Sequence, residues 1–88
     1  MNKLMVPTVH LNGTSKEALL SEYVTAMNAV QDAIDALKKV TVHGRDYYPQ
    51  GDRAINDAML QRARQFEHLE EVHTELEAIA IEISEQGK

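Results

Sequence analysis

The sequence predicts an all-α protein, an antiparallel helical hairpin with a short N-terminal extended arm, assembling as a homodimeric or higher helical bundle. Three observations predict it. Two long stretches repeat apolar residues at the helical spacing of three and four. One break rich in glycine and proline, residues 43–52, separates them. And 88 residues without cysteine form at most one domain, one with no disulfide framework and no thiolate metal site. At this size folding buries only roughly 60% of the unfolded surface.

Residues 1–13 are read as the arm. Leu4, Met5, Val6, Val9 and Leu11 are apolar or β-branched, and Pro7 in their midst excludes a central strand. Its expected place is across a helix pair, on its own or a neighbouring subunit. Asn12-Gly13 makes a turn. The first helix is expected over 14–41, with Thr14 as N-cap and Glu17 reaching back as a capping box. Its seam is Leu20, Tyr23, Met27, Val30, Ile34 and Leu37, widened by Ala18, Leu19, Val24, Ala33 and Ala36. Lys38 and Lys39 suit its C-terminal turn.

The second helix is expected over 53–86. Its seam runs Ile55, Met59, Arg62, Phe66, Leu69, His73, Leu76, Ala80 and Ile83. Arg62 and His73 are polar, so each lies at the interface edge or meets a partner there. Two helices of this length carry more apolar face than they can cover for each other, which is the argument for oligomerisation.

Charge is unevenly spread. The net charge is −5. Residues 38–64 hold six cations against three carboxylates, all four arginines among them, whereas residues 65–88 hold seven glutamates and one lysine. Binding along a polyanion such as DNA or RNA is not expected. A small anionic ligand at the arginine-rich end is. No apolar run reaches the ~20 residues of a membrane span. The expectation is a cytoplasmic chain.

The intervening loop, 42–52, concentrates the chemistry. Gly44 and Gly51 free the backbone, and Pro49 is expected to hold Tyr48 extended and to keep the stretch non-helical. Tyr47 and Tyr48 can stack on a flat ring, Arg45 can clamp a phosphate, and His43, Asp46 and Gln50 can read polar edges. Taken singly, each tyrosine reads as well as a packed side chain, and Arg45 as a cap on helix carbonyls. A second candidate set is His10, Asn12, Thr14 and Ser15, which puts backbone amides and two hydroxyls at a helix N-terminus. In one hairpin the two sets lie a helix length apart. In an antiparallel dimer the turn of one chain approaches the loop of the other, which gives composite pockets.

Catalytic and metal chemistry find little support. Glu70-x-x-His73 has the spacing of bundle di-iron ligands, but the first helix offers only Glu22, Asp32 and Asp35 to complete it. Ser15, Ser21 and Ser84 have no base and acid arranged near them. No enzyme activity, cofactor or metal is expected. An enzyme cleaving a nucleotide would have only His43 or His10 as base.

The two motifs His10-Leu-Asn-Gly-Thr-Ser15 and Gly44-Arg-Asp-Tyr-Tyr-Pro-Gln-Gly51, joined by a long helix, resemble those of a group of small phage proteins. The build is also similar to that of phage sponge proteins that sequester bacterial immune nucleotide signals. Among these, the Sequestin and Lockin families bind ADP-ribose-derived messengers made by TIR-domain enzymes of Thoeris defence. The resemblance implies a homo-oligomeric anti-Thoeris sponge working in the infected host cytoplasm. It would bind a nucleotide-derived anion without turnover. The rival expectation is a phage protein–protein interaction module using the same loop.

Overall fold

The structure, a computed structural model, describes residues 3–87. Met1, Asn2 and Lys88, which the sequence reading includes in the arm and the C-terminal end, lie outside the described residues. Two α-helices pack into a hairpin: α1 over Lys16–Lys38 and α2 over Ala54–Glu85. Among the described residues there is no strand.

α1 starts two residues later than the sequence suggests, and its cap is Ser15 rather than Thr14. The Ser15 hydroxyl accepts from the Ala18 amide at 3.1 Å, satisfying one of the first-turn donors. That places Glu17 one residue too early for a reciprocal capping box. Its last regular residue is Lys38, with Lys39 closing the turn through the Ala36 carbonyl at 3.1 Å.

Both seams turn inward. Leu20, Tyr23, Met27, Val30 and Leu37 are half-buried and Ile34 is buried. On α2, Ile55, Arg62, Phe66, Leu69, His73, Leu76 and Ile79 are half-buried, and Ala80 and Ile83 are buried. Met59 departs from the pattern, at 56% exposed. The reason is length. α1 has 23 residues and α2 has 32, so α2 overhangs its partner by nine, about 13 Å. Met59 sits on the overhang, before Arg62 draws level with the end of α1.

Arg62 explains one of the two polar seam positions. Its Nη2 donates to the carbonyls of Leu37 (3.2 Å) and Lys38 (3.0 Å) in the last turn of α1; the Leu37 oxygen also takes the Val40 amide at 3.0 Å, so the guanidinium is a second donor there. Its guanidinium lies over the Phe66 ring, 5.3 Å from the centroid.

At the opposite pole the N-terminal segment is fastened to the end of α2 by one side chain. The Gln86 Oε1 accepts from the Val9 amide at 2.7 Å, and its Nε2 donates to the Pro7 carbonyl at 2.8 Å. This carboxamide reads one donor and one acceptor of extended backbone, as a neighbouring strand would. Lys16 Nζ donates to the Gln86 carbonyl at 2.8 Å, tying the start of α1 to the same point.

The hairpin is thin. Its dimensions are 61 × 25 × 18 Å, and its radius of gyration of 18.7 Å exceeds the about 12 Å of a globular chain of this length. Among the described residues only Ile34, Ala80 and Ile83 are buried apolar residues. A mostly apolar groove of about 600 Å³ is lined by Ala33, Ala36, Leu37, Val40 and Leu69 together with Gln65 and His68.

Candidate functional site

The connection between the helices, residues 39–53, is regular in its middle part, 44–50. It folds into two consecutive 3-10 turns, Gly44–Asp46 and Tyr48–Gln50. The first is closed by Asp46 and Tyr47 amides on the carbonyls of His43 (3.0 Å) and Gly44 (2.9 Å). The second is closed by Gln50 and Gly51 amides on Tyr47 (2.9 Å) and Tyr48 (3.1 Å). The expectation that Pro49 keeps Tyr48 extended and the stretch non-helical is overturned. Pro49 falls at the start of a 3-10 turn, where a helix needs no donor from it. Gly51 ends the turn at φ 113°, a conformation that only glycine adopts without strain.

Folded this way, the loop caps the overhanging end of α2 and leaves an open pocket of about 530 Å³ between them. Tyr47 and Gln50 line it from the loop. Asp52, Arg53, Asp57 and Gln61 line it from the connection and α2, with Ala54 and Ala58 leaving the space. Tyr47 is half-buried, so its ring forms a wall rather than a projecting group. The polar lining is one guanidinium, two carboxylates, two carboxamides and a phenol. A guanidinium takes phosphate oxygens, carboxylates accept from sugar hydroxyls, and carboxamides read the edges of a heterocycle. α2 starts here without a side-chain cap on its N-cap residue Arg53, so its first-turn amides face the same end.

The remaining loop candidates lie outside the pocket. His43, Arg45, Asp46 and Tyr48 are exposed and do not line it, Tyr48 being 76% exposed. The arginine that binds the carbonyls ending α1 is Arg62, a role equally open to Arg45 on sequence alone.

His10, Asn12, Thr14 and Ser15 are exposed at the other pole. The Gly13 amide donates to the His10 carbonyl at 3.1 Å, and the His10 ring folds back over Gly13. A Cβ at residue 13 would stand 2.7 Å from Nε2 of that ring. Ser15 is engaged as the cap of α1. The length of α1, about 35 Å, separates this turn from the loop, so one chain does not bring the two candidate sets together.

Sequence reasoning passed over Asp52, Arg53, Asp57 and Gln61. A signal for three of them was present. Arg53, Asp57 and Gln61 recur at intervals of four immediately after the loop, with Ala54 and Ala58 beside them, and so share one helix face. A smaller polar cleft of about 300 Å³ between the helices is lined by Gln31, Lys38, Glu70, His73 and Thr74. Among the described residues no group of three His, Cys, Asp or Glu side chains is placed to hold a metal ion. Nor is any helix long and apolar enough to cross a membrane.

With the geometry in place, comparison with protein-family models, with curated proteins and with solved structures finds no match to this chain.

Proposed function

We propose that this chain is a phage counter-defence protein that binds and sequesters a nucleotide immune signal without cleaving it. The ligand class is ADP-ribose-derived, such as cyclic ADP-ribose or His-ADP-ribose. The observation that carries the reading is the open pocket of about 530 Å³ walled by Tyr47 and flanked by Arg53, Asp52 and Asp57. Its volume falls within the range of small-molecule sites. In the pose we draw, adenine stacks on Tyr47 and ribose hydroxyls meet the two carboxylates. The diphosphate turns toward Arg53, with Arg45 outside the pocket lining.

The assembly belongs to the same proposal. Three buried apolar residues are a small core for a chain this long, and the apolar groove beside Leu37 and Leu69 lies open. A homodimer or larger homo-oligomer would cover it. An antiparallel pairing sets the arginine-rich loop end against the glutamate-rich last third of the partner. The same pairing carries the 10–15 turn toward the partner's loop, where its amides would complete the anion site.

The test is isothermal titration against cyclic ADP-ribose isomers and His-ADP-ribose, followed by chromatography of the denatured mixture. The expected result is a Kd below about 1 µM, with ligand recovered intact. Tyr47→Ala and Arg53→Ala should each abolish or greatly weaken binding, and Arg45→Ala should weaken it less. Cleaved ligand would replace the sponge by an enzyme. No heat with any of these ligands would leave the second reading.

That second reading has its own observation. Tyr48, 76% exposed beside Arg45 and His43, is the kind of residue that anchors a protein partner. A phage interaction module, an inhibitor of a host protein or a morphogenesis factor, would lose its partner with Tyr48→Ala and tolerate Gln61→Ala. The ligand reading predicts the reverse order.

A further inference from the structure

We infer that Arg62 sets the register of the hairpin and thereby the shape of the loop pocket. The inference rests on the loop being the working site, and not on what the loop binds.

The seams by themselves fix the register weakly. Both repeat with a near-heptad period, so sliding α1 along α2 by seven residues, about 10 Å, still lays apolar side chains on apolar side chains. Polar residues break that degeneracy, because each has few places where it is satisfied. Arg62 has one such place. Its Nη2 sits between the carbonyls of Leu37 (3.2 Å) and Lys38 (3.0 Å), at the negative end of the α1 dipole. Phe66, one turn further along α2, supports the guanidinium from the other side. A one-turn slide of α1 moves those carbonyls about 5.4 Å away and breaks both bonds.

The cost of this arrangement is visible. Arg62 Nε is buried and has no hydrogen-bond partner. A seam chosen for stability alone would place an apolar side chain here, since an unpaired buried donor is unfavourable. What the arginine secures is the length of the overhang. Residues 39–53 start from the end of α1 and finish at the start of α2, so the level at which α1 stops decides how the loop folds back. Ala54, Ala58 and Gln61, the helical wall of the pocket, all lie on the overhanging stretch that Arg62 terminates.

The test is Arg62→Met, read by thermal unfolding and by amide hydrogen exchange on the ligand-free protein. The expected result is a Tm equal to or above that of the parent. The Asp46, Tyr47, Gln50 and Gly51 amides should exchange about tenfold faster or more, while those in the middle of α1 stay within about twofold. Arg62→Lys, which keeps the charge and loses the fork, should show the same pattern at smaller amplitude. Loop amides unchanged in both variants would overturn the inference. So would loop and helix amides accelerating together, because that reports general destabilisation. If Arg62→Met does not fold, Arg62→Lys alone decides by the same contrast between loop and helix. Since no ligand enters the measurement, failure here leaves the nucleotide reading standing, and failure of nucleotide binding leaves this inference standing.

Discussion

Replacing Gln86 by alanine removes a two-point clamp while leaving both helices intact. The side chain accepts from the Val9 amide at 2.7 Å and donates to the Pro7 carbonyl at 2.8 Å, and all three residues are half-buried. A part-buried hydrogen bond contributes a net of about 0.5–1.5 kcal/mol. Two of them bring the local cost to about 1–3 kcal/mol, the upper end applying if the stranded Val9 amide stays shielded from water. The Lys16 bond to the Gln86 carbonyl uses the backbone and survives the substitution. Amide hydrogen exchange at Val9 reads the loss directly. Its protection should fall by roughly 5- to 150-fold, the equivalent of that free energy, with a far smaller change in the middle of α1. Gln86→Glu sharpens the assay. A carboxylate still accepts from Val9 but no longer donates to Pro7, so it should retain part of the protection. It also adds negative charge at the C-terminal end of α2, where the helix dipole disfavours it. Unchanged Val9 exchange in Gln86→Ala would refute the clamp, as would Gln86→Glu protecting Val9 as well as glutamine does.

Other substitutions separate neighbouring roles. Ser15→Ala should destabilise the protein by about 1 kcal/mol in chemical denaturation, while Thr14→Ala should change stability by a few tenths at most. Ile83→Ala, at the one fully buried large side chain among the described residues, should cost about 2–5 kcal/mol, measured by the same method. Gly13→Ala drives a methyl into the His10 ring, so it should displace the His10 ring resonances. Because that ring is exposed and free to swing away, Gly13→Ala should leave stability within about 0.5 kcal/mol in chemical denaturation.

How much of this was legible in the sequence depended on whether a feature repeats. The seams did: Leu20 to Leu37 and Ile55 to Ile83 announce their faces by spacing, and all but Met59 turn inward. Met59 was illegible because its exposure depends on where the other helix stops. The cap on α1 was ambiguous for a local reason, since Thr14 and Ser15 are adjacent and both able to cap. Only the backbone path decides which hydroxyl meets the Ala18 amide. The loop was recognisable as the chemically dense stretch, yet its 3-10 turns were hidden by a proline that argues equally for a helix start and for a break. The pocket needed the helix that follows. Asp52, Arg53, Asp57 and Gln61 join Tyr47 and Gln50 only because the overhang brings the first turns of α2 under the loop. The Gln86 clamp joins residues 77 and 79 positions apart, and no local pattern announces such a pairing.

The Gln86 clamp also settles how this molecule can be handled. Because Pro7 and Val9 are held at the end of α2, the N-terminal segment and the C-terminal end of α2 meet at one pole, the one remote from the loop. A surface tether at the C-terminal end of α2 would therefore orient a single hairpin loop-outward, like a brush bristle on its backing, whereas an antiparallel dimer would turn the partner's loop toward the surface. A sensor chip coated through the C-terminal end would display Tyr47 and Arg53 about 48 Å from the end of α2, the length of that helix.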